Sequence, residues 1–257
     1  MSSVTLLRLL LVPAAVWLAS LAARRFGHRV SGYLGGMPLI GGPITYFLAL
    51  DHGADFAAHS ATLTLGAIAG QAAHLLAFTY VARFGAWPAA LFAGWGAFSG
   101  VAVAVAWLDP GPLAALAIAF TSLAGARFLL PHESATLQRP SIPPLEMRLR
   151  LAAAVGLAAL ILWSAARFGP VVSGLLLSLP ITGSIMPPFT LALYGPEAVV
   201  RLARGFLTGL TGFMSFFFVV ALCAGPWGLP GAFAAAVLAA LVAIALAVRV
   251  LSPRTNP

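Results

Sequence analysis

The stretch Ser31–Leu50, SGYLGGMPLIGGPITYFLAL, is apolar enough to cross a membrane, yet it carries five Gly and two Pro in its first thirteen residues. Ser173–Leu193, SGLLLSLPITGSIMPPFTLAL, repeats that punctuation far along the chain. A backbone N–H or C=O freed from its helix in hydrocarbon costs several kcal/mol. Such residues are tolerated in a membrane span only where protein, water or a ligand supplies the missing partners.

Composition places both stretches in a bilayer. The chain has 257 residues, 61% hydrophobic and 8% charged, with a mean hydropathy of +1.01; a soluble domain carries about a quarter charged residues. The lone Cys223 excludes an intrachain disulfide and a cysteine metal cluster. A net charge of +8 does not indicate nucleic acid, because the basic residues sit in loops between spans, where cytoplasmic retention places them. All fourteen are Arg, a bias that fits a GC-rich bacterial genome and a cytoplasmic (inner) membrane.

A span needs about 20 apolar residues. Nine are expected, at 5–23, 30–50, 60–82, 86–108, 111–130, 149–167, 171–194, 198–222 and 228–250. They form one membrane domain, 1–257, with 131–148 as its one long linker. Only Arg8 and Arg167 lie outside if the remaining Arg face the cytoplasm, which sets the N-terminus out and the C-terminus in.

Displaced by 142 residues, the sequence meets itself: eleven of the twenty-nine positions from Arg25 to Gly53 are identical in 167–195. RFGHRVSGYL answers RFGPVVSGLL; Pro38 meets Pro180, Gly41 meets Gly183 and Gly53 meets Gly195. Repeat 1 is expected over 5–108 and repeat 2 over 149–251, with 109–148 supplying span 5 and the cytoplasmic loop. Corresponding spans differ by five, an odd number, so the copies run oppositely through the bilayer. Inverted repeats with paired interrupted helices mark secondary transporters. The duplicated Gly/Pro spans 2 and 7 resemble, in architecture, the bile-acid/sodium symporters and their relatives. That resemblance implies a substrate site where the broken helices cross. The acidic and amide residues with which that family would hold sodium are not found, and no family site residue is carried over.

The expected substrate contacts are Pro38, Gly41 and Gly42 in span 2, and Pro180, Thr182, Gly183 and Ser184 in span 7. Alternatively these residues serve only close packing and kinking. His74, mid-span with Gln71 one turn before it, is the expected proton-coupling pair; the bland reading is a neutral His bonded to a neighbouring helix. Asp51, His52, Asp55 and His59 have the chemistry of metal ligands, but Asp55 and His59 align with Glu197 and Arg201, as acids and their partners at helix starts do. No cofactor is expected. Arg201 and Arg204 could meet an anionic headgroup or substrate. Gly66/Gly70, Gly96/Gly100 and Gly205/Gly209 permit close helix contact within the fold or in a homodimer. GAFSG around Ser99 faintly resembles the serine motif of rhomboid proteases, with the Gly misplaced and His74 preceding the Ser, and no other catalytic motif is found. The expectation is a non-enzymatic carrier of a small organic solute or ion. A lipid flippase and a membrane scaffold or accessory subunit are the alternatives, with membrane lipids as the surrounding partner.

Overall fold

The structure is a computed structural model that describes residues 24–132 and 180–251, with residues 14, 17, 18, 20–22, 148, 149, 152 and 156 beside them. The expected spans 5–23 and 149–167, and the first part of span 7, fall largely outside the described residues. Every regular element described is an α-helix: α1 His28–Gly36, α2 Gly41–His52, α3 Ala54–Gly66, α4 Ile68–Ala82, α5 Trp87–Leu108, α6 Pro112–Leu129, α7 Ile181–Cys223 and α8 Gly228–Leu251.

Six segments are long and apolar enough to cross a membrane: His28–His52, Ala54–Ala82, Trp87–Leu108, Pro112–Leu129, Ile181–Cys223 and Gly228–Val250. Five match expected spans. The sixth merges the expected spans 171–194 and 198–222 with no loop between them. Gly195 is the reason: at φ 79, ψ 179 it leaves the helical region inside α7, and Pro196 starts the next limb without needing an N–H bond. Gly53 does the same between α2 and α3, at φ 90, ψ 176. An L side chain rarely adopts such a φ. The limbs of α7 fold back on each other, because Gly183 and Phe213 line one cavity, whereas a straight helix would hold them about 45 Å apart.

The segments 54–82 and 181–223 form the centre, and Leu65, Ile68, Met186, Leu202, Leu210 and Phe217 are fully buried there. Helices α5, α6 and α8 lie outside them. Large apolar side chains on α5 and α6 face outward, with Trp107 at 92% and Phe128 at 89% exposure, as lipid-facing positions do. Among the described residues the protein is all-helical, with the helices of an integral membrane protein.

Two glycine pairs bring the backbones of α1 and the second limb of α7 together. A methyl group on Gly205 would fall 3.1 Å from the Cα of Gly32, and one on Gly209 would fall 2.9 Å from the Cα of Gly36. The Gly32/Gly36 half of this contact was not singled out in the sequence. Gly70 packs on α5, where a methyl would meet the Phe98 carbonyl at 3.1 Å; Gly212 packs on α8, where a methyl would meet the Ala240 carbonyl at 3.1 Å. Gly96 and Gly100 have nothing within 4 Å. Gly36→Val or Gly209→Val should therefore lower stability by about 1–3 kcal/mol through overpacking, whereas Gly100→Val should stay within about 0.5 kcal/mol of the parent. Thermal melts of the three purified variants in one detergent measure the difference.

Candidate functional site: a cavity between interrupted helices

Pro38 stops α1. The residue before a proline is driven out of the helical region, and Met37 is extended at φ −76, ψ 157. The chain turns through Met37–Ile40 and restarts as α2, with the Gly42 N–H donating to the Pro38 carbonyl at 2.9 Å. The start of α7 is built alike. Pro180 is non-helical at φ −75, ψ 66, α7 begins at Ile181, and the Ser184 N–H donates to the Pro180 carbonyl at 2.6 Å.

The two helix starts converge on a cavity of about 40 Å³, lined on one side by Gly35, Met37, Ile40 and Gly41, on another by Pro180–Gly183, and also by Gln71, Phe206 and Phe213. Of the expected site residues, Gly41, Gln71, Pro180, Thr182 and Gly183 come together here. The lining contains no charged side chain. Thr182 is 8% exposed. The volume suits one or two water molecules, at about 30 Å³ each in the liquid.

Pro38 and Gly42 turn the other way. They line an apolar groove of about 620 Å³ that also takes in Pro43, Tyr46, Phe216, Phe233 and Leu241. A methyl on Gly42 would sit 3.1 Å from the Phe216 ring, so that glycine makes room for an aromatic side chain.

His74 and Ser184 stand behind the cavity. Pro187 lacks the N–H that would bond the Gly183 carbonyl four residues earlier. His74 Nε2 donates to that carbonyl instead, at 3.3 Å, across 109 residues of chain. Gly94 supplies the space, since a methyl there would fall 2.8 Å from His74 Nδ1. The Trp95 indole N–H donates to the Ser184 hydroxyl at 2.9 Å. Sequence reasoning did not find Gly94 or Trp95, although Pro187 already signalled that the Gly183 carbonyl needs a donor from elsewhere.

Other sequence candidates resolve locally. Arg204 donates to the carbonyls of Leu130 and Pro131 at 2.9–3.0 Å, at the C-terminal end of α6, where cations are favoured. Asp55 lies in the first turn of α3, and the His52 ring packs on Phe56 at 4.7 Å. No group of three or more His, Cys, Asp or Glu side chains able to hold a metal occurs among the described residues.

The chain matches no protein-family model, no curated protein and no solved structure, so the site is interpreted from its own chemistry. The Trp95–Ser184 bond should be worth about 0.6–1.7 kcal/mol in this setting. A double-mutant cycle of Trp95→Phe and Ser184→Ala, followed by thermal unfolding in detergent, should return a coupling in that range.

Proposed function

We propose that this protein is a secondary transporter that moves a small solute or ion by alternating access across an inverted repeat. The observation that carries the reading is the shared cavity at the two helix restarts. Its walls pair residues 142 positions apart: Gly41 with Gly183, Ile40 with Thr182, Gln71 with Phe213. The same displacement relates the Gly42–Pro38 and Ser184–Pro180 hydrogen bonds, the Gly53 and Gly195 turns, and the Gly70–Phe98 and Gly212–Ala240 contacts. Two copies that meet around one site can exchange conformations and so exchange the side that is open. The termini then lie N-out and C-in, and span 5 reverses the second copy.

The copies are not identical where chemistry would need a difference. Phe216 occupies the position that corresponds to His74, and it packs on Gly42, whereas His74 bonds Gly183. His74 therefore belongs to one half alone, and its hydrogen bond to the cavity wall lets its protonation act on the site. The apolar groove offers room for hydrocarbon, which favours a lipid flippase as the second reading. Against it, the Arg204 guanidinium that could meet a lipid phosphate is already bonded to the end of α6.

Cys223 is the only cysteine in the chain, so a Cys223→Ser background gives direct access to the test. Thr182→Cys in that background, reconstituted in proteoliposomes, should react with a membrane-impermeant thiol reagent from both sides of the bilayer. Reaction from one side alone, or from neither, would refute alternating access. The ratio of the two labelling rates should change with pH when His74 is present and stay flat in His74→Gln, which keeps an N–H donor but does not titrate.

A further inference from the structure

We propose that the cavity binds a small monovalent anion of about halide size; this deepens the transporter reading and rests on it. The N-terminal turns of two helices border the same small space, α2 through Ile40 and Gly41 and α7 through Pro180–Gly183. The first N–H groups of a helix have no partner within it. At α2 these are Ile40 and Gly41, because the Gly42 N–H bonds the Pro38 carbonyl and Pro43 has no N–H; at α7 they are Ile181–Gly183. Such an end carries about half a positive charge. Neither start has a side-chain cap. Soluble helices commonly place Ser, Thr, Asp or Asn there; these two have Ile40 and Pro180 as their caps. Both helices are long enough for a developed pole, at 12 residues for α2 and Ile181 to Tyr194 for the first limb of α7.

Thr182 is the independent observation. It lines the cavity, is more than nine-tenths buried, and has no hydrogen-bond partner among the described residues. Its hydroxyl is free to donate into that space, and an anion between the two helix starts would accept its proton. The lining contains no Asp or Glu to repel that anion and no Arg to hold it irreversibly. The carboxyl end of α1 also borders the space through Gly35 and Met37. It opposes the anion with one negative pole, partly met because the Leu34 carbonyl accepts the Met37 N–H, against the two positive poles of α2 and α7. The volume of about 40 Å³ suits a monatomic or very small polyatomic ion.

The experiment is a melting series on the full chain in detergent. Sodium salts of fluoride, chloride, nitrate, formate and acetate are titrated against sodium gluconate at constant ionic strength, with a parallel exchange of sodium for potassium or N-methylglucamine at fixed anion. At least one of the small anions should raise Tm saturably, and exchanging the cation should leave Tm unchanged. Halides and carboxylates are separated by which of them saturates. Thr182→Val should weaken the response about tenfold, as loss of a hydrogen bond to a charged group does. Thr182→Asp should fold at least as stably as the parent in gluconate, because a carboxylate in the first helical turn satisfies the same pole, and it should abolish the anion response. A shift that follows the cation, the absence of any saturable shift, or an undiminished response in Thr182→Asp would overturn the proposal. An anion response without two-sided labelling of Thr182→Cys would leave the anion site standing and remove the transport reading; two-sided labelling without an anion response would do the reverse.

Discussion

A carbonyl that loses its helical donor inside a membrane must find another donor, and the arrangement of this protein turns on how that requirement is met at Gly183. Pro187 removes the donor, and His74 replaces it from a helix far away in sequence. The replacement ties the start of α7 to α4. Gly94 leaves space for the imidazole, and Trp95 holds the next residue, Ser184. One backbone defect is thus met by a contact between helices remote in sequence. With those contacts made, the restarts at Ile40–Gly41 and Pro180–Gly183 face each other across a space that side chains do not fill.

The glycines do a different job from the prolines. Pro38 stops α1 and Pro180 stands just ahead of α7; Gly32, Gly36, Gly205 and Gly209 let the pieces approach. Lipid is as apolar as leucine, so helices in a bilayer gain little from hydrophobic burial and rely on close van der Waals contact. Side chains on α1 would hold it away from the second limb of α7, and Phe206 and Phe213 would no longer reach the cavity that they line. Gly53 and Gly195 act at the ends of the short limbs, where a single residue with positive φ starts the next helix at once. The site is small because its walls approach so nearly, and it is polar because those walls are largely backbone.

Much of this was legible in the sequence because the relevant physics is local. A proline removes a donor wherever it stands, and twenty apolar residues span a bilayer in any fold. The interruption at Pro38, the helix start after Pro180, the membrane-length segments, and Gly41, Gln71, Thr182 and Gly183, which line the cavity, could therefore be named in advance. Pro38 and Gly42 were equally well marked, yet they line the lateral groove. Which face of a turn looks inward depends on what packs against it, and Phe216 lies 174 positions from Gly42. Arg204 was likewise marked as a cation near a helix start, but the carbonyls it bonds belong to Leu130 and Pro131.

By itself the sequence determined that the chain lives in a membrane, where its helices break, and which positions recur 142 residues apart. Composition, missing N–H groups and internal identity are properties of the chain before it folds. Only the tertiary structure decided that the starts of α2 and α7 share one cavity, that His74 serves the Gly183 carbonyl, and that Thr182 lines the cavity with no hydrogen-bond partner among the described residues. Those outcomes follow from the approach of helices remote in sequence, and that approach is set by shape and backbone hydrogen bonding that residue identity does not encode position by position.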